Sequence, residues 1–274
     1  MNIFIIGHRG FLGQKMVNFL RAHHTILTDS IFDITIEKTY DAMHAAHVIV
    51  NCAAKTNVDW CEENEEEAFR VNAEGVEKLM EWGRVHHKKI IQISTDWTVN
   101  PLNVYAHSKK KGDDFILAQK ENAVIYVCNL YGYNSPSEVK GFPLWALEKF
   151  TRKKPFSVAR GILHTSTWID DIPRCVQAII SQNKTGRIVC TDSTSYSKMD
   201  VALLTARVFG KDPSLIQEVD VSQLPWKAQR PEESNLYKSH SHEKGLYFYP
   251  CTTLEEGLMH MKKQMQEGNH PLAK

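Results

Sequence analysis

The chain has 274 residues, with 33 Lys plus Arg against 32 Asp plus Glu and a formal net charge of +1, so no long-range field gathers nucleic acid or an acidic membrane surface. Hydrophobic residues make up 42% and charged residues 24%, the balance of a chain that buries a core rather than one too polar to fold. No apolar run approaches the ~20 residues that cross a bilayer, and no basic-then-apolar leader opens the sequence; the expectation is a cytoplasmic protein, neither membrane-bound nor secreted.

From the first residue, short apolar runs alternate with longer segments of helical period, the rhythm of βαβ units in a parallel sheet. The first strand is expected at 2–6. It runs into Gly7-His8-Arg9-Gly10-Phe11-Leu12-Gly13, a turn opening a helix at 12–22, where the backbone bends sharply and can approach a pyrophosphate. Tight turns need glycine for structural reasons too, so context decides. A second strand at 25–27 leads to Asp29, where an acid meets the ribose hydroxyls of an NAD-type dinucleotide. Arg9, inside the turn, argues the other way, because a guanidinium pairs with a 2′-phosphate; NADP(H) and NAD(H) both stay open. Asp33-Ile34 stands where a polar-apolar pair could touch an adenine edge, and equally where a plain turn would lie.

A third strand at 48–51 ends in Asn51-Cys52-Ala53-Ala54-Lys55, and a helix at 65–86 contains Asn72. The acidic run at 62–67 reads as the solvated start of that helix. A fourth strand at 89–94 delivers Ser94-Thr95-Asp96-Trp97. In the helix expected at 105–120, Tyr105 and Lys109 are four apart and share one face. An ammonium one turn from a phenol draws its pKa down from about 10 toward the working pH, the pairing of a proton donor with its tuner. Thr95 would offer a hydroxyl to the same substrate oxygen. A strand at 124–127 precedes Cys128-Asn129-Leu130-Tyr131-Gly132; a helix at 143–152, a strand at 187–191 and a capped helix at 198–209 follow, then a loop-rich stretch with Pro213, Pro225 and Pro231. The architecture expected is a doubly wound parallel α/β sheet of Rossmann type. Residues 1–132 and 164–192 would form the dinucleotide-binding domain, with 133–163 and 193–274 as a smaller substrate lobe.

The glycine turn, Asn51-Cys52-Ala53-Ala54, Asn72, Ser94-Thr95-Asp96 and Tyr105-x-x-x-Lys109 occur in one order that resembles the extended short-chain dehydrogenases/reductases. More narrowly, Asn51 through Asp59, Ser94-Thr95-Asp96-Trp97, Pro101 through Tyr105 and Ala228 through Leu236 resemble the dTDP-4-dehydrorhamnose reductase family, from residue 1 to about residue 258. The resemblance implies reduction of the 4-keto group of a nucleotide-linked 4-keto-6-deoxyhexose by NAD(P)H, with Tyr105 as acid, Thr95 on the ketone oxygen, and Lys109 as tuner and ligand of the nicotinamide ribose. It implies a cofactor bed of Gly7, Arg9, Gly10, Phe11, Leu12, Gly13, Asp29, Asp33, Ile34, Cys52, Ala53, Ala54, Lys55 and Asn72, together with Tyr105 and Lys109. Val58, Asp96, Trp97, Asn129 and Arg230 would lie on the sugar-nucleotide side, and a homodimer is expected. The Gly7-His8-Arg9-Gly10 spelling also resembles GDP-fucose synthase, which implies NADPH and a phosphate role for Arg9. A nucleotide-sugar epimerase, or an epimerase/reductase, shares the fold. So does a non-catalytic NADP-binding regulatory subunit, since the β subunit of methionine adenosyltransferase resembles the same family.

The chain departs from the family pattern in two places. Only Trp97-Thr98-Val99-Asn100 remains of a longer loop between the Thr95 and Tyr105 motifs, and 127–132 lacks an arginine and a tryptophan. Other conspicuous residues read as structural. Trp168-Ile169-Asp170-Asp171 would cap the following helix. His23-His24 and His86-His87 are sequence neighbours pointing to different sides, so no metal is expected. His164, His240 and His242 read as surface or loop residues, Trp60-Cys61 as packing. Of the six cysteines (Cys52, Cys61, Cys128, Cys175, Cys190, Cys251), far apart and without a C-x-x-C pair, most read as buried small hydrophobes.

Overall fold

The computed structural model describes residues 1–135, 139–243 and 245–273; residues 136–138, 244 and 274, all within stretches expected to form the small lobe, lie outside it. Five apolar runs become strands: β1 (Asn2–Ile6), β2 (Thr25–Leu27), β3 (Val48–Asn51), β4 (Lys89–Thr95) and β5 (Ala123–Val127). With Gly186–Val189 and Leu246–Phe248 they form a seven-stranded sheet. Its order is Leu246–Phe248, Gly186–Val189, β5, β4, β3, β1, β2, and every neighbouring pair is parallel.

Helices cover both faces. In chain order the helices include α1 (Phe11–Leu20), α2 (Val58–Glu63), α3 (Glu65–Phe69), α4 (Gly75–Val85), α5 (Val104–Leu117), α6 (Phe142–Thr151), α7 (Asp171–Ser181) and α8 (Lys198–Phe209), followed by Leu254–Glu267, and α1, α4, α5 and α7 lie on the sheet. On one face Ile3, Ile5, Val50, Ile91, Ile125 and Ile188 pack on Met16 and Leu20 of α1 and on Ile172, Val176 and Ile179 of α7. On the other, Phe4, Ile6, Ile49, Ile90, Val124 and Val189 pack on Val76 and Leu79 of α4 and Ile116 of α5. A strand buried on both faces has no polar alternation, which is why apolar residues fill successive positions in β1, β3 and β5. A second core holds Tyr131, Leu147, Trp168, Val201, Leu258 and Met261, tying α6, α8 and Leu254–Glu267 together.

Several elements differ from expectation. The helix expected at 65–86 is interrupted: α3 gives way to a wider π turn at Arg70–Glu74 before α4 begins. Gly112 of α5 lies against that turn, where a Cβ would sit 2.2 Å from the Asn72 carbonyl oxygen. Leu246–Phe248, inside the stretch expected for the small lobe, instead extends the large sheet from Gly186–Val189. Asp170 and Asp171 do not cap α7, because Asp170, at the N-cap position, makes no side-chain cap bond. It pairs with Lys15 of α1 at 2.8 Å and accepts from Gln264 Nε2 at 2.9 Å. Asp171 accepts from the Thr252 amide and hydroxyl at 2.8 and 2.9 Å. Both aspartates fasten distant segments to the sheet's end. Among the described residues, no helix is long and apolar enough to cross a membrane.

Candidate active site

The β1–α1 turn is built from glycine backbone. Gly7 has φ +75°, open to glycine without strain, and a Cβ there would lie 2.9 Å from the Ala53 amide nitrogen. A Cβ on Gly13 would fall 2.1 Å from the Gly7 carbonyl oxygen. The α1 N-terminus follows directly, with Gly10 as N-cap, no side-chain cap bond and no acid in the first turn. Its amides and the positive end of its dipole are thus not met by side chains of the turn. Phe11 is buried and passes its carbonyl to Asn134 Nδ2 at 2.6 Å; Leu12 packs on the core, and Arg9 and Gly10 are exposed.

Other expected cofactor residues divide. Asp29 follows β2 and accepts from the Ile31 amide at 2.9 Å. Asp33 accepts from the Thr35 amide and hydroxyl, each at 2.8 Å, which makes a turn of that segment. Ile34 is 4% exposed, buried against Gly75, with its carbonyl taking the Tyr40 hydroxyl at 2.5 Å. It is a core residue. Past β3, Asn51 bridges to Gln92 at 2.8 Å and accepts from the Ala53 amide at 3.0 Å, which sets the course of Cys52, Ala53 and Ala54 beside Gly7. Asn72, displayed by the π turn, clamps Lys55 from both sides: its Oδ1 accepts from the Lys55 amide at 2.8 Å and its Nδ2 donates to the Lys55 carbonyl at 3.0 Å. Asn72 Nδ2 also donates to Ser108 Oγ on α5 at 3.0 Å. Asn72 therefore joins the loop after β3 to the helix of Tyr105.

Three contacts set the start of α5. Asn103 is its N-cap, accepting from the Ala106 amide at 2.8 Å, and its Nδ2 reaches the Gln229 carbonyl at 2.7 Å. Glu62 of α2 accepts from the Val104 amide at 2.8 Å, a carboxylate at the positive end of the helix dipole. Lys109 is 2% exposed and donates to the Ile93 carbonyl at 2.8 Å. Thr95, at the end of β4, hydrogen-bonds Asp96 at 3.3 Å and accepts from the Trp97 amide at 3.4 Å. Burial pushes the Tyr105 phenol well above its ordinary value, and the Asp113 and Asp96 carboxylates push it further. The charges acting most strongly on Tyr105 are thus carboxylates, which hold its proton on, whereas the sequence expectation was a lysine drawing it off. Burial lowers the Lys109 ammonium, opposed by Asp113. Asp113, one turn along α5, takes the Ser94 hydroxyl at 2.6 Å and is itself pushed up to about 7 by burial.

On the opposite side of Thr95 the site is made of side chains. Asp96, 3% exposed and pushed up to about 6 by burial, accepts from the Ser234 hydroxyl and from the Cys128 thiol. The Trp97 ring lies edge-on to Tyr105 at 6.4 Å and packs on His164 at 5.4 Å between centroids. His164 is not a surface residue: it is 3% exposed, and its Nε2 meets the Pro231 carbonyl at 2.9 Å. Asn129, in the left-handed region at φ +41°, donates to the Thr165 carbonyl at 3.0 Å and accepts from Lys198 Nζ at 3.1 Å. Arg230 forms a bidentate pair with Asp59 at 2.6 and 2.8 Å that holds the Asp59 carboxyl well below its usual range. That pair fastens the loop of Arg230 to α2, whose first residue is Val58. A cleft of about 450 Å³ borders the shortened 97–100 segment, between Asp96, Trp97 and Asn100 on one side and Pro231, Ser234 and Leu236 on the other. Sequence reasoning missed Asn103, Glu62, Asp113, His164 and Lys198. An asparagine just before the helix of Tyr105 signals the Asn103 cap, and Asp113 stands four residues after Lys109 on that helix; Glu62, His164 and Lys198 meet the site from elsewhere in the chain.

The family model described as RmlD substrate binding domain matches residues 1–267. A dTDP-4-keto-6-deoxy-D-glucose reductase of Streptomyces niveus is 24% identical over 264 residues, covering 88% of this chain and 90% of that one. A dTDP-4-dehydrorhamnose reductase of Mycolicibacterium smegmatis is 26% identical, covering 89% and 80%. Among solved structures, a dTDP-4-dehydrorhamnose reductase of Bacillus anthracis in complex with NADP superimposes with a TM-score of 0.84 at 20% identity, over 96% of this chain and 99% of that one. The glycine turn, the Asn72 clamp and the Thr95, Tyr105, Lys109 group thus belong to a chain matched almost end to end, and this protein is a member of the RmlD substrate binding domain family.

Proposed function

We propose that the protein is an NAD(P)H-dependent reductase of the 4-keto group of a nucleotide-linked 4-keto-6-deoxyhexose, acting in deoxysugar biosynthesis. The observation that carries this reading is a phenol held protonated, Tyr105, on a helix whose start is fixed by Asn103 and Glu62 and which carries Lys109 one turn on. The reductases of S. niveus and M. smegmatis support the substrate class.

The glycine turn suits a dinucleotide, since the cradle that a Cβ at Gly7 or Gly13 would fill leaves backbone amides at the start of α1 for a pyrophosphate. The NADP in the B. anthracis structure and the exposed Arg9 support NADP(H) over NAD(H). When bound, the reduced nicotinamide supplies hydride to C4. In this reading Thr95 holds the ketone oxygen, Tyr105 gives its proton to the alkoxide as it forms, and Lys109, anchored on the Ile93 carbonyl, offers its remaining N–H donors to the nicotinamide ribose. A phenol raised by burial is a weak acid at rest and yields its proton only to a strongly basic oxygen, which the developing alkoxide is. The reading also takes residues 1–132 and 164–192, joined by the Leu246–Phe248 strand, as the cofactor domain, the rest of 133–163 and 193–274 as the substrate lobe, and a cytoplasmic homodimer.

The test follows NADPH and NADH oxidation by absorbance with 4-keto-6-deoxyhexoses linked to dTDP, UDP, GDP or CDP. Wild-type turnover that falls by about 10²-fold or more in Tyr105→Phe, with NADPH affinity unchanged, supports the reading. No consumption with any of the four, while NADPH binds, overturns it in favour of a non-catalytic subunit. Arg9→Ala should weaken NADPH far more than NADH; equal weakening would remove the 2′-phosphate role.

A further inference from the structure

Lys198 occupies an unfavourable place for a cation. It is the first residue of the 12-residue helix α8, where the dipole's positive end repels it, and Asp200 in that first turn is spent on the Ser197 capping box. Among the described residues no carboxylate pairs with it; its Nζ donates to Asn129 Oδ1 at 3.1 Å and lies 5.0 Å from the centre of the Phe142 ring. Burial draws the ammonium down to about 8, so it stays cationic at neutral pH. Its field reaches inward, helping to hold His164 neutral at a pKa of about 4. Asn129 itself follows the carboxyl end of β5, the end of a parallel sheet at which ligands bind.

A second observation points to a ligand at the same place. His164 Nε2 meets a carbonyl and so carries the hydrogen, which leaves Nδ1 as an acceptor; that atom is buried and unpartnered among the described residues. Trp97 Nε1, on the ring between His164 and Tyr105, is a buried donor likewise without a partner. Native proteins rarely leave such groups unpaired. A cation without a counter-ion, a free acceptor and a free donor, running from Lys198 to Tyr105, match a ligand with an anionic end and hydroxyls before its reacting carbon.

We propose that Lys198, positioned by Asn129, binds the diphosphate of the nucleotide-linked substrate, and that His164 Nδ1 and Trp97 Nε1 take hydroxyls of its sugar. This rests on reading the site as one for a nucleotide-linked sugar. The test is calorimetric titration of dTDP, UDP, GDP and CDP, and of their nucleosides, into the NADPH-loaded protein as wild type, Lys198→Met and Lys198→Arg, with thermal melts to check folding. At least one nucleoside diphosphate should bind the wild type, weaken by about tenfold or more in Lys198→Met and recover most of that loss in Lys198→Arg, while NADPH and nucleoside affinities do not move. Equal binding by wild type and Lys198→Met, or no diphosphate bound by the wild type, overturns the proposal. Should Lys198→Met leave diphosphate binding intact but weaken a nucleotide sugar bearing a carboxylate, the charge serves the sugar and the diphosphate assignment also falls. The two readings separate cleanly. Lys198-dependent binding without turnover upholds this inference and sinks the reductase, and unchanged kcat and KM in Lys198→Met does the reverse.

Discussion

The two sides of the Tyr105 helix are built from different materials. Toward α1, the site is backbone: Gly7, Gly13 and the Asn51-to-Lys55 loop approach each other at distances that leave no room for a methyl group. Toward α8, it is side chains: Asp96, Cys128 and His164, buried, with Asn129 and Lys198 half-buried, each leaning on a partner far along the chain. A backbone site fails by steric intrusion and is indifferent to pH. A site of buried titratable groups tolerates changes of volume better and is tuned, or undone, by protons.

The largest effect expected comes from intrusion on the first side. Gly13→Ala places a Cβ 2.1 Å from the Gly7 carbonyl oxygen, and both are main chain at the root of the sheet, so neither can rotate away. Overpacking of this kind should cost about 3 kcal/mol and remove NADPH binding. Urea unfolding measures the first and fluorescence titration the second. A variant as stable as wild type that still bound NADPH would show the cradle to be soft, and the contrast between the two sides would be lost.

That first side is also the part legible in the sequence. Gly7 and Gly13 act on residues within one strand-turn-helix unit, so their spacing carries the geometry, and Tyr105 and Lys109 share a helix face by counting alone. The π turn at Arg70–Glu74 was not legible, because it packs closely against Gly112, far along the chain in another helix. Nor was the field at Tyr105: Lys109 is in its motif, but Asp113 and Asp96 act more strongly and are brought there by α5 and by the end of β4. Arg230 shows the same limit from the other direction. Its motif suggested a ligand contact, and only the fold reveals Asp59 as its partner.

On the polar side the expected signature is pH. His164 is held near pKa 4, against about 6.5 when unfolded, so the unfolded chain binds a proton that the folded chain refuses. Stability from this residue is whole above about pH 6.5 and is lost as pH falls toward 4; by pH 5 the loss should be about 2 kcal/mol. Comparing urea midpoints at pH 7 and pH 5, His164→Phe should lose less than wild type. An identical drop in both would place the sensitivity elsewhere.

The Arg230–Asp59 pair should respond in the same direction at lower pH and by a smaller amount. Arg230 lowers the Asp59 carboxyl, with the Ala228 and Lys227 amides adding to it. A depressed acid stabilises the fold above its unfolded pKa, about 3.9, and loses that contribution as pH falls through the folded value. Arg230→Met keeps the two amide donors on Asp59 and should cost about 1 to 2 kcal/mol at pH 7. The gap to wild type should narrow as the solution is acidified below pH 4. A gap constant from pH 7 to pH 3 would mean that the arginine acts through packing on Trp226, 4.8 Å away, and not through charge.

Asn103 joins the helix of Tyr105 to the side-chain side, which makes it the finest test of the comparison. Its Oδ1 caps the helix of Tyr105 and its Nδ2 reaches the Gln229 carbonyl in the loop that carries Arg230. Asn103→Ala removes both bonds and should cost about 1 kcal/mol, the usual worth of a cap. Asn103→Asp keeps an acceptor for the cap, and a charge of the sign that a helix start favours, but turns a donor into an acceptor facing Gln229. If the cap alone sets Tyr105, the aspartate variant should keep wild-type kcat and stability while the alanine variant loses both. If the seam to the Gln229 loop also sets the site, the aspartate variant should keep NADPH affinity yet raise KM for the sugar, because the backbone side is untouched and the side-chain side has shifted.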